Sequence, residues 1–170
     1  MATWKTYKLG DITIMRNGKK RPNTQGTYPV YGGNGIMDYA DCYNAENTII
    51  VGRVGAYCGN VYQCKGKCWV SDNAISVSAN EYVDSKYLFM VAKNIKEELV
   101  NKAIGSAQQN ISQVIIKDID ISSDIEKIKQ FHKIVCPHFE VMEKNQKENE
   151  TLATLRDTLL PKLMNGEIKI

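Results

Sequence analysis

Through the first 80 residues the apolar positions come in short runs rich in β-branched and aromatic side chains: "TYPVY" at 27–31, "NTIIVGRV" at 47–54, "NVYQC" at 60–64, "CWVSD" at 68–72 and "AISVS" at 74–78. Gly, Asn and Lys-Gly-Lys turns separate them, and runs of this length between turn residues read as strands. They predict one compact sheet. The period then changes. Asp84 can cap a helix whose Leu88, Val91, Ala92, Ile95 and Leu99 keep the 3, 4 spacing of one buried stripe, with Gly105 placed to end it. A polar loop, "GSAQQNIS", follows, and "VIIKDIDI" reads as a last strand packed back on the sheet.

After Ser122 the pattern is helical almost to the end, through Ile125, Ile128, Val135, Phe139, Met142, Leu152, Leu155, Leu159 and Leu163, with Gln146 and Asn149 in the middle of the seam. Pro137 is expected to break or kink this helix, or to open a second one. From His138 to Met164 the apolar stripe is narrow, which suits a coiled coil and asks for a partner helix. The plainer alternative is a helix folded back on its own domain. The fold class is therefore α+β, a small mixed sheet over residues 1–122 followed by a long helical region over 123–170.

A length of 170 residues holds one domain with its own core plus one appended element. The start, "MATWKTYKLGD", has no apolar core of a signal peptide, and no window approaches the roughly 18 apolar residues of a membrane span. A cytoplasmic protein that crosses no membrane is expected. The five cysteines, Cys42, Cys58, Cys64, Cys68 and Cys136, are an odd set, which favours reduced thiols over a disulfide framework. Cys64-x3-Cys68 is wider than a zinc knuckle, and Cys42, Cys58, His132 and His138 supply no second tight pair, so no metal site is expected.

Charge is unevenly placed: residues 1–122 hold 14 Lys and Arg against 11 Asp and Glu, and residues 123–170 hold eight of each. No acid occurs between Asp11 and Asp38, whereas Arg16, Lys19, Lys20 and Arg21 cluster there. Such a patch suits phosphates, and equally a solvated loop.

The glycine-rich "YPVYGGNGIMDY" at 28–39 is no Walker cradle, lacking a following Gly-Lys-Ser/Thr, and lacks the GxGxxG spacing of a dinucleotide fold. Asn34-Gly35 between apolar runs instead signals a tight hairpin. A plain turn explains the glycines but not the flanking tyrosines, Tyr31 among them, so contact with DNA stays open. In "GSAQQNIS", Ser106, Gln108, Gln109 and Asn110 offer donors and acceptors that can bond an adenine edge, or merely cap a turn. "VGRVGAY" sets Arg53 between two glycines, where a guanidinium can reach phosphate or guanine. No serine or cysteine lies in a recognisable nucleophile setting and both histidines are in the helical tail. Glu167-Ile168-Lys169 mimics half a nuclease metal site, with Asp157 on the tail helix as its nearest acid.

In order, "WKTYKLGDI", "YPVYGGNGI", "IIVGRVGAYCGNV", "WVSDNAI", "GSAQQNIS" and the ending "LRDTLLPKLMNGEI" resemble the specificity subunits of type I restriction-modification systems. Such subunits usually carry two target recognition domains, each followed by a long helix, and the helices pair antiparallel. This chain resembles one half of that arrangement. The resemblance implies a non-catalytic DNA-reading subunit without a cofactor of its own, S-adenosylmethionine and ATP belonging to partner methyltransferase and restriction subunits. With the basic run, the hairpin and the two loops read above, double-stranded DNA is expected to be contacted by Arg16, Lys19, Lys20, Arg21, Tyr31, Asn34, Arg53, Ser106, Gln108, Gln109 and Asn110. A homodimer would be joined through Phe139, Met142, Gln146, Asn149, Leu152, Leu155, Leu159 and Leu163. A stand-alone DNA-binding regulator and a protein-interaction scaffold are the competing functions.

Overall fold

The computed structural model describes residues 5–80, 83–105 and 109–168. It forms two compact units, Met1–Lys129 and Gln130–Ile170. All five apolar runs of the first 80 residues are strands, and further strands precede and separate them. The order is β1 (Lys5–Lys8), β2 (Thr13–Asn17), β3 (Tyr28–Gly32), β4 (Gly35–Ala40), β5 (Ala45–Glu46), β6 (Ile49–Gly52), β7 (Val61–Gln63), β8 (Lys67–Val70) and β9 (Ala74–Ala79). Helices α1 (Ser85–Asn94), α2 (Lys96–Asn101) and α3 (Gln113–Lys117), strand β10 (Asp120–Ser123) and helix α4 (Ile125–Met164) complete the chain.

The strands form three sheets instead of one. An antiparallel sheet runs β2-β9-β6-β7, a mixed sheet runs β4-β3-β8-β5 with β3 parallel to β8, and β1 pairs with β10. The central strands explain why: in β6, Ile49 and Val51 belong to one apolar cluster and Ile50 to another, and in β9 Ile75 and Val77 face away from Ala74. Side chains alternate across a strand, so an unbroken Ile-Ile-Val run means both faces are covered. One face carries the helices, through Leu88, Ala92, Leu99 and Ile116. The other carries the mixed sheet, through Tyr31, Cys68 and Val70. Burial of each large aliphatic side chain contributes about 1.5–3 kcal/mol.

Asp84 caps α1, its Oδ1 accepting from Lys86 N at 2.9 Å and Tyr87 N at 3.0 Å. The single helix expected over the stripe is two, parted by a turn at Ile95 that keeps Leu99 fully buried. "VIIKDIDI" likewise departs from the expected strand. The Ser112 hydroxyl accepts from Ile115 N at 3.4 Å and starts α3, so only Asp120 onward is extended. Burial at Ile116, Ile119 and Ile121 with Val114 exposed gives the reason, since those positions fit a helical turn followed by a strand. Lys8 Nζ holds the β1-β10 ribbon through Asp118 at 3.0 Å and Asp120 at 2.9 Å.

In the second unit, α4 runs unbroken through Pro137, so the expected break does not occur. Proline removes one helix hydrogen bond, to the Lys133 carbonyl, and both residues are exposed, where water can replace it. The unit boundary at Lys129/Gln130 lies inside this helix, whereas the sequence reading divides the chain at 122/123. Met142, Leu152, Leu155 and Leu159 are 42–65% exposed on α4, and Gln146 and Asn149 are exposed among them. Phe139 is half-buried and Leu163 36% exposed. Among the described residues no helix is long and apolar enough to cross a membrane.

Candidate nucleic-acid interface

The turn Ser71-Asp72-Asn73, between β8 and β9, is where the suspected segments meet. Leading out of β2, Gly18 N donates to the Ala74 carbonyl and Lys19 N to the Val70 carbonyl, each at 3.0 Å, and Trp69 Nε1 donates to the Lys19 carbonyl at 3.3 Å. A Cβ on Gly18 would run into the Ser71 carbonyl oxygen, so glycine is what lets the basic run lie this close. On the other side of the turn, Arg53 N donates to the Asn73 carbonyl at 3.0 Å. Arg53 in turn receives the "GSAQQNIS" loop: Ile111 N donates to its carbonyl at 2.8 Å, and Gly55 N to the Gln109 carbonyl at 2.9 Å. Main-chain bonds thus join the basic run, the Arg53 loop and the amide loop, three segments separated by up to 90 residues of sequence.

Gly32 and Gly35 pair across the tip of the β3-β4 hairpin, leaving Gly33-Asn34 as the two-residue loop. The expected loop, Asn34-Gly35, is thus displaced by one residue. Gly35, at φ +88°, takes the left-handed conformation that favours glycine. The hairpin lies against the Arg53 loop. A Cβ on Gly52 would strike the Tyr57 carbonyl oxygen and come within 2.9 Å of the Gly33 carbonyl oxygen. Between the hairpin tip and this loop is a groove of about 330 Å³, lined in part by Asn34, Ile36, Met37, Val54, Tyr57 and Asn73.

Arg16, Lys19 and Lys20 are exposed, and no ion pair is recorded for them among the described residues. Arg21 is different, bonded to Asp38 on β4 at 3.1 Å. Arg53 is half-buried, and its Nε is shielded from water with no hydrogen-bond partner among the described residues. Asn34, Gln109 and Asn110 are exposed, and Ser106 and Gln108 lie outside the described residues. Tyr31 faces inward, 9% exposed in the cluster between the two larger sheets. Burial pushes its hydroxyl up to about 12, with Cys64 and Cys68 adding to the effect. Cys68 is pushed up by a hydrogen bond with Cys64 and by burial, and all five cysteines are free.

Asn73, Tyr57, Ile36 and Met37 were not among the residues that the sequence singled out. Ile36 and Met37 are both about half exposed because a bulge at Val30/Tyr31 breaks the alternation of β4. Such a bulge leaves no mark in the pattern itself. Asn73 is legible as a turn residue between two strand runs, but not as the point where three segments join. The arrangement offers cations for phosphate oxygens and carboxamides for base edges. Among the described residues, no three His, Cys, Asp or Glu gather as a metal site would require.

The family model for the type I restriction modification DNA specificity domain matches residues 1–154. The specificity subunit of the type I restriction enzyme EcoprrI from Escherichia coli is 31% identical over 105 residues, covering 55% of this chain and 26% of that one. The S subunit of a type I restriction-modification system from M. genitalium superposes with a TM-score of 0.79 at 21% identity, over 95% of this chain and 46% of that one. The HsdS subunit from Thermoanaerobacter tengcongensis gives 0.60 at 15% identity, over 97% and 46%. The chain spans about a quarter of that curated relative and about half of those solved chains. With most of its length matched by the family model, the chain belongs to the type I restriction modification DNA specificity domain family.

Proposed function

We propose that this chain is the DNA-reading part of a type I restriction-modification system, without catalytic activity of its own. It directs a partner adenine-N6 methyltransferase subunit and a restriction subunit to their site, in the cytoplasm. The observation that carries this reading is the main-chain junction at Ser71–Asn73, which brings the basic run beside the Arg53 and Gln109 loops. Arg16, Lys19 and Lys20 supply phosphate contacts that set register, and the exposed amides supply base contacts that set sequence. S-adenosylmethionine and ATP bind the partner subunits, not this chain.

The exposed stripe on α4 pairs with a second helix. In a homodimer Phe139, Met142, Leu152, Leu155, Leu159 and Leu163 meet their own copies, and two-fold symmetry makes the helices antiparallel. Gln146 and Asn149 then meet near the middle. The stretch from His138 to Met164 makes a spacer of roughly 40 Å, on the order of one turn of DNA, so the site is an interrupted palindrome. Selection of binding sequences from a random duplex pool tests the reading: a recurring motif is expected, and an unenriched pool overturns it.

A further inference from the structure

The groove between the β3-β4 hairpin tip and the Arg53 loop has a chemistry distinct from the basic run beside it. None of its lining side chains is charged. Its walls hold apolar groups at the surface, with Ile36 50%, Met37 52% and Tyr57 47% exposed. Asn34 and Asn73 are exposed as well. Among the described residues no hydrogen bond is recorded for the carboxamide of Asn73, while its carbonyl is fixed by Arg53 N at 3.0 Å. The backbone under the groove is closely packed, because Gly52 and Gly33 approach too closely for a side chain at Gly52.

A phosphate would seek cations, and the groove lining has none. Guanine is recognised through arginine or lysine on O6 and N7, and those too are absent from the lining. What the groove offers is a carboxamide, which matches adenine N6–H and N7 at two points, beside apolar groups that suit the thymine methyl. A site whose backbone is held in place before binding loses little entropy when it binds.

We infer that this groove is a base-reading subsite selecting an A·T pair from the major groove, with Asn73 bonding adenine and Ile36 and Met37 packing on the thymine methyl. The inference rests on the DNA-reading proposal and goes beyond it by naming the pair read and the residues that read it. Asn73, Ile36 and Met37 are specificity-determining residues in this assignment. Arg16, Lys19 and Lys20 are not.

The test uses the full chain and a duplex enriched from a random pool. Each thymine is replaced in turn by uracil, which lacks only the methyl, and each adenine by 7-deazaadenine, which lacks N7. At one A·T pair, uracil should weaken binding about fourfold, as loss of a buried methyl does. That penalty should vanish in Ile36→Ala with Met37→Ala. Deaza substitution at the same pair should weaken binding about fivefold or more, and Asn73→Ala should abolish that penalty. Circular dichroism of each variant, unchanged from the parent, confirms that the fold is intact. Sequence-selective binding in which no analogue penalty depends on these residues overturns this inference alone. A pool that enriches nothing overturns the DNA-reading proposal and this inference with it.

Discussion

Arg21 and Asp38 form an ion pair at 3.1 Å between the basic run and the hairpin strand β4. Both side chains are nearly half exposed, so the pair contributes little to stability. Its effect is on the interface: it withdraws one cation from the patch.

Asp38→Asn should therefore release Arg21 for phosphate. Non-specific DNA binding is expected to tighten, and the slope of log K against log salt to steepen by up to about 0.9, one added phosphate contact. Titration by fluorescence anisotropy at several salt concentrations reads both. An unchanged slope would mean that Arg21 lies off the DNA path.

Lys19 and Lys20 carry the opposite prediction. Alanine at both should weaken binding to all sequences alike and flatten the salt slope by about 1.8. Sequence preference should survive, because phosphate contacts carry no base information. A changed preferred motif with an unchanged slope would contradict the phosphate role.

Five strands, the Asp84 cap and the helical tail follow from local period and turn chemistry. The interval between Asp11 and Asp38 holds no acid, yet the fold returns Asp38 to Arg21. Tertiary pairing is not a local property. For the same reason the main-chain bond from Gly55 to Gln109 could not be read, although both loops had been singled out separately. At Ser112 the aliphatic run "VIIKDIDI" has the pattern of a strand, and a single capping hydroxyl starts a short helix there instead. Tyr31 was placed on the DNA side because a flanking tyrosine reads the same whether a sheet buries or exposes it.

Tyr31 makes alkaline stability a test of the second core. Its hydroxyl ionises near 10 in the unfolded chain and only near 12 in the folded one. The unfolded state therefore loses its proton first as pH rises. The stability contributed by the neutral hydroxyl is full below pH 10 and is lost between 10 and about 12. Urea midpoints measured from pH 9 upward should fall more steeply for the parent than for Tyr31→Phe. Equal slopes would show that the hydroxyl reaches water.

Leu155, 49% exposed on α4, tests the helical pairing. Sedimentation at micromolar concentration should give a dimer for the parent and a monomer for Leu155→Glu, since a charge in an apolar seam has no partner there. A parent that sediments as a monomer, with the variant identical to it, would remove the homodimer from the account.

The central claim is that this chain reads DNA sequence, and the most direct measurement is its affinity for a selected duplex and for single-position variants of it at physiological salt. The account predicts that each mismatch within the motif weakens binding by about 1–3 kcal/mol, while changes outside it have no effect. Affinity that depends on salt but is the same for every sequence would contradict it.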